Sequence, residues 1–237
     1  SAASDVYKRQ VLSFYKKNNI ALQINNKNML QTNHKIIFST LSLAIFMLLS
    51  AFSTTKNQNG KWHLAKNRND IKVYTRSVEG FVLKEFKGET NIKASIEEVL
   101  SIIKNLDNYT TWMPGCTESK LLKKVSDNEY YHYAVREAPW PLFDRDAITH
   151  IKIEPQTNGE VLIKVVAKPD FIAEKSNMVR VPIVRASWRF VPKNDGSTDI
   201  IYIGIGSAGG NIPDWLANTA VVTVPYGTLY NLKKALL

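Results

Sequence analysis

Few residues of this chain have the types and spacing to do chemistry, and most of those have a plainer reading. Gly204 to Gly209 reads "GIGSAG", the G-x-G-x-x-G spacing whose backbone can cradle a pyrophosphate. A dinucleotide site also needs a second strand and an acid about 20 residues further on. No Asp or Glu follows Asp214, so the glycines are read as ending an edge strand and letting it turn into a helix. His63, His132 and His150 are well separated and lack metal spacing, and no G-x-S-x-G occurs. Cys116 is the single cysteine, which excludes an internal disulfide and a multi-Cys metal site. It reads as a small buried hydrophobe; as a nucleophile with His132 for base it has no local support. No catalytic residue, metal-ligand set or cofactor motif is assigned.

The stretch "REAPWPLFDRDAI", Arg136 to Ile148, is different. Pro139 and Pro141 bracket Trp140, so this is neither mid-helix nor central strand. The loop ends one strand rigidly, with Trp140 placed to cover one end of the sheet. Arg145 and Asp146 then open an apolar run. Residues 145, 147, 149, 151 and 153 are Arg, Ala, Thr, Ile and Ile, whereas Asp146, His150 and Lys152 lie on the other face. Alternation therefore points Arg145 into an apolar interior and Asp146 outward, in a structural role. A buried guanidinium needs a carboxylate or a polar ligand group.

The positioning elements follow from periodicity. Residues 71–76 and 82–90 alternate as strands. Ser95-Ile96-Glu97-Glu98 is a capping box, and Ile96, Val99, Leu100, Ile103 and Leu106 share one helical face. Strands are predicted over 118–125, 129–135, 144–155, 159–169, 184–193 and 198–206, separated by polar turns, which is an antiparallel meander. The last segment, 211–237, predicts a helix kinked near Pro225, with Trp215, Leu216, Val222, Leu229, Leu232 and Leu236 on a stripe. The chain stops directly after it, which leaves room for the natural protein to run further. A sheet with one apolar face needs a cover, and this helix is the element long enough to provide it. The predicted fold is α+β, a curved antiparallel sheet wrapped around a long C-terminal helix with an internal cavity.

"YYHYAVREAPWPLFDRDAITH" resembles the START lipid-transfer domains of the helix-grip (SRPBCC) superfamily. "VLKEFKGETNI", the capped helix, "WRFVPKNDGSTDIIYIG" and "GGNIPDWLANTAVVTVPYGTLYNLKKAL" follow in the same order, from Trp62 to about Leu237. The resemblance implies a nine-stranded sheet gripping the C-terminal helix. It also implies a tunnel for one lipid or other apolar molecule, and a non-enzymatic binding or transfer role. Arg145 matches the family's cavity arginine and is expected to anchor a ligand's polar head. An acid found on the preceding strand in some members is matched here by His132. Strand alternation there instead favours Tyr131, Tyr133 and Val135 pointing inward, so the inner face of this strand stays open. The family's lid loop matches residues 168–180, across from the helix near Trp215, with Phe171, Ile172 and Met178 at the entrance. Trp188 and Val222 are expected in the lining. Two rivals remain: a cyclase- or hydratase-like enzyme on the same fold, and a protein-interaction module whose cavity is filled by side chains.

The chain has 237 residues, 44% hydrophobic and 22% charged, with a formal charge of +10. Residues 1–53 hold six Lys/Arg and one Asp, which leaves 25 basic and 20 acidic residues of mixed sign in 54–237. That is a solvated surface rather than a nucleic-acid footprint. Residues 29–53 have the order of a secretory signal peptide, with Lys35, an apolar run and Ala51-Phe52-Ser53 as cleavage site. Residues 1–28 read as translated adaptor and upstream DNA, 54–61 as a linker and 62–237 as the domain. The expected location is periplasmic or secreted; the alternative is an uncleaved anchor in the inner membrane. The expected partners are a lipid or hydrophobic small molecule and transient membrane contact, with the protein a monomer.

Overall fold

Ser95 accepts from the Glu98 amide and Glu98 accepts from the Ser95 amide, so both halves of the predicted capping box form. They start α1 (Ile96–Lys104), which buries Ile96, Val99 and Ile103. The predicted stripe ran on to Leu106. The helix stops two residues earlier, and Leu106 opens a 3₁₀ turn, Leu106–Thr111. The computed structural model describes residues 60–210 and 212–236. The predicted signal peptide and everything before it lie outside the described residues.

Ten strands form one antiparallel-rich sheet: β1 (His63–Arg68), β2 (Ile71–Arg76), β3 (Glu85–Ile92), β4 (Cys116–Ser126), β5 (Glu129–Arg136), β6 (Arg145–Pro155), β7 (Val161–Ala167), β8 (Val179–Arg180), β9 (Ile183–Pro192) and β10 (Thr198–Ser207). Their spatial order is β1-β2-β3-β10-β9-β7-β6-β5-β4, a path of nine strands, and the two-residue β8 adds parallel to β6. β1 was not predicted. It is an exposed edge strand of mixed composition, so it shows no alternation. β10 lies between β3 and β9 and is not the edge strand expected from its glycines. The glycines are there for clearance. A Cβ on Gly204 would meet the Phe86 ring at 2.6 Å, one on Gly206 would meet the Ile183 carbonyl oxygen at 2.6 Å, and Gly209 has φ +69.

The C-terminal helix α2 (Asp214–Ala235) runs through Pro225 and covers the sheet. Leu229 and Leu232 are fully buried in the main apolar cluster beside Ile71, Val73 and Phe190. The helix sits so close to β3 that a Cβ on Gly88 would lie 2.7 Å from Leu229 Cδ1. Asn231 Nδ2 donates to the Trp112 carbonyl at 2.8 Å, fixing the helix's last turns to the turn before β4.

On the sheet face away from α2, residues 168–181 lie across β5 and β6. The Lys168 amide donates to Ile148 O, Val179 to Asp144 O and Val181 to Asp146 O, at 2.8 to 2.9 Å. Tyr133, Val135 and Ile148 form a second buried cluster there with Leu122, Ile172 and Met178. Both faces of this part of the sheet are therefore covered.

Candidate functional site

Between the inner face of the sheet and α2 lies a cavity of about 420 Å³. An adjoining groove of about 270 Å³ runs under α2 between β3, β9 and β10. The two share Leu216, Ala220 and Val224, which are spaced four residues apart and so fall on one face of α2. The sheet side of the cavity is built by alternation. Ala147, Thr149 and Ile151 come from β6, and His132, Ala134 and Arg136 from β5. The β5–β6 register pairs His132 with Thr149, Ala134 with Ala147 and Arg136 with Arg145.

The open question about β5 is thereby settled: His132, Ala134 and Arg136 face the cavity, and Val135 borders it while packing in the second cluster with Tyr133. His132, Arg145 and Trp188 line the cavity. Tyr131 and Tyr133, expected in the lining, are on the other face. Tyr131 stacks on Phe171 with centroids 4.2 Å apart, and the Tyr133 hydroxyl donates to Met178 Sδ at 3.6 Å. Phe171 and Met178 accordingly belong to the cover over the outer face and not to a tunnel entrance. Trp215 is 69% exposed, while the next residue, Leu216, takes the lining position. Val222 packs against the main apolar cluster instead, and Val224 faces the cavity. Six of the nine expected ligand contacts are thus displaced: Trp215 and Val222 by one or two positions along α2, Tyr131 and Tyr133 to the other face of β5, and Phe171 and Met178 into the cover over that face.

The Pro-Trp-Pro loop also differs from expectation. Trp140 is 93% exposed and covers nothing. Its neighbours Pro139 and Leu142 reach the cavity. The loop is closed by Ala138 N donating to Asp144 Oδ1 at 2.9 Å and Leu142 N to Pro139 O at 3.0 Å.

Asp146 faces away from the cavity, as alternation requires, but is only 1% exposed. Arg180 holds it with two parallel bonds of 2.9 Å, Nε to Oδ1 and Nη2 to Oδ2. The remaining guanidinium N–H groups donate to Pro169 O, Ile172 O and Ala173 O.

His132 Nε2 lies 2.7 Å from Ser119 Oγ, whose hydroxyl donates to Leu106 O at 2.5 Å. With that proton committed, His132 must donate from Nε2, so that nitrogen carries a proton. Burial pushes its pKa down to about 4. Burial also raises the Cys116 thiol. Arg136, which sequence reasoning missed, lines both the cavity and the groove. Among the described residues no side chain forms an ion pair with Arg136 or Arg145. Arg145 Nη1 donates to Phe143 O, and its Nε has no partner among the described residues.

A curved sheet closed over one helix around a mostly apolar cavity defines a helix-grip protein with an internal binding space. A family model described as polyketide cyclase / dehydrase and lipid transport matches residues 92–226. An uncharacterised protein of Pseudomonas aeruginosa is 35% identical over 174 residues, covering 73% of this chain and 86% of that protein. A phosphatidylcholine transfer protein of Rattus norvegicus is 26% identical over 165 residues, or 67% of this chain and 76% of that one. The crystal structure of a STAR-related lipid transfer protein from Xanthomonas axonopodis matches with a TM-score of 0.70 and 40% identity, covering 74% of this chain and 98% of that one. The chain belongs to the polyketide cyclase / dehydrase and lipid transport family, and its fold is the START form of the helix grip.

Proposed function

We propose that this protein binds one lipid or similar hydrophobic molecule in the cavity between the sheet and α2, and does so without transforming it. The cavity carries this reading. Its volume of about 420 Å³ lies within the range of roughly 300–1,000 Å³ typical of small-molecule sites. Its walls are mainly apolar, with a few polar groups at one end. The module whose interior is filled by side chains does not fit a space of that size. The Xanthomonas axonopodis and Rattus norvegicus relatives, named for lipid transfer, support the same reading.

The cyclase-like reading needs an acid–base pair in the cavity. His132, the one histidine there, is neutral at pH 7 and spends its Nε2 proton on Ser119. The arginines offer charge but no proton transfer near neutral pH, and the lining carboxylate Glu137 has no hydrogen bond to His132 among the described residues. Native mass spectrometry with lipid extraction tests the binding reading: one hydrophobic molecule per chain is expected.

Exposed apolar side chains beside the cavity and groove lining support transient contact with a membrane. Trp140 and Phe143 flank Leu142, Trp215 precedes Leu216 and Val82 precedes Leu83, and all four flanking side chains are exposed while their neighbours line the cavity or groove. We place the protein in the periplasm as a monomer, exported by the leader at 29–53, whose basic start, apolar run and small cleavage residues support this.

A further inference from the structure

Arg180 shows how this protein treats a buried guanidinium: all five N–H groups have acceptors, two of them on a carboxylate. Arg136 and Arg145 break that pattern. They face each other across the β5–β6 ladder, and both border the cavity. Like charges directly opposite on a sheet repel. No acid among the described residues forms an ion pair with either. Burial works against the charge on both. Among the described residues, the two buried side-chain polar atoms left without partners are Arg145 Nε and Trp112 Nε1, both donors on residues that border the cavity. Asp144 favours the charge on Arg145 and Glu137 lines the cavity, yet neither forms an ion pair with an arginine, so the deficit is one of acceptors. The fork geometry of two guanidinium groups suits an oxyanion.

The volume limits what carries that anion. A methylene is close in size to one water's share of the liquid, about 30 Å³, so a cavity of about 420 Å³ holds on the order of fourteen methylenes. The groove adds some length, but the two spaces together fall short of a pair of long acyl chains.

We infer that the ligand is a single-chain amphiphile ending in an oxyanion, a carboxylate or a phosphate, held between Arg136 and Arg145 with its chain along the cavity. This rests on the lipid-binding reading and specifies its ligand.

The test titrates the protein by calorimetry with tetradecanoate, a single-chain lysophosphatidate, tetradecanol and a two-chain phosphatidate. The carboxylate, the lysophosphatidate or both should bind at least about tenfold tighter than the alcohol, as expected for hydrogen bonds to charged groups. Which of the two does so identifies the head. In the double variant Arg136→Gln, Arg145→Gln that margin should vanish while the alcohol binds as before. The variant without ligand should also melt higher than the parent, because two facing charges are gone. Equal binding of alcohol and anions to the parent, an unchanged margin in the variant, or a lower melting temperature overturns the anion site and leaves the cavity reading standing. Phosphatidate binding as tightly as lysophosphatidate overturns the single-chain limit. Failure of all four ligands to bind overturns the cavity reading and this inference with it.

Discussion

Asp146 and Arg180 are joined by two parallel hydrogen bonds of 2.9 Å on the covered outer face of the sheet, one residue removed from the arginine that borders the cavity. The pair ties the 168–181 segment to β6 and so fixes which way Arg145 faces. Removing one partner of such a pair leaves an uncompensated buried charge, at a cost of about 3–5 kcal/mol. Asp146→Ala should therefore lose stability on that scale in urea titrations, with earlier proteolytic cleavage in 168–181. A loss within about 1 kcal/mol, the usual scale of exposed pairs, would show that the pair is not acting as a buried one.

His132 gives the protein a pH dependence. Its pKa is about 4 in the folded protein and about 6.5 in an unfolded chain. Between those values the unfolded chain binds the extra proton, so this contribution is complete above about pH 6.5 and is lost as pH falls toward 4. The full effect is on the order of 3 kcal/mol. Urea midpoints at pH 7 and pH 4.5 should differ more for the parent than for His132→Gln. Equal differences would rule out His132 as the source.

Gly206 is required for space. A Cβ there would sit 2.6 Å from the Ile183 backbone oxygen, which cannot swing aside as a side-chain tip can. Gly206→Ala should destabilise by about 1–3 kcal/mol, the range of overpacking. Thermal melting reads this out, and an unchanged melting temperature would mean that the β9–β10 ladder yields easily.

Exposed aromatic residues next to cavity-lining ones predict lipid-surface binding. Replacing Trp140, Phe143 and Trp215 by Ser should weaken vesicle co-sedimentation by tenfold or more, since burying each large side chain contributes roughly 1.5–3 kcal/mol. Thermal stability should hold, because these side chains are exposed. Unchanged sedimentation would remove them from any membrane-contact surface.

The sheet and its closing helix were legible because periodicity survives wherever one face is wet. β2, for example, buries Ile71, Val73 and Thr75 and exposes Lys72. The capping box at Ser95 announced α1 from four residues. The site was less legible. Tyr133 and His132 are both buried, on opposite faces of β5, so apolar pattern could not choose between them. Arg136 lay in plain view, but its position opposite Arg145 depends on the hairpin register, which the irregular loop between them does not announce. On α2 the apolar stripe found Leu229 and Leu232. It also held Leu216, but it passed over Ala220 and Val224, which line the cavity with Leu216 one and two turns further on.

The central claim is that the cavity is occupied. Native mass spectrometry of the gently purified protein should show a population heavier by one hydrophobic molecule. Ala220→Trp, placed where cavity and groove meet, should stay folded and lose that population. A parent that is consistently empty and takes up no lipid from vesicles, or an Ala220→Trp variant that carries the same adduct, would contradict the account.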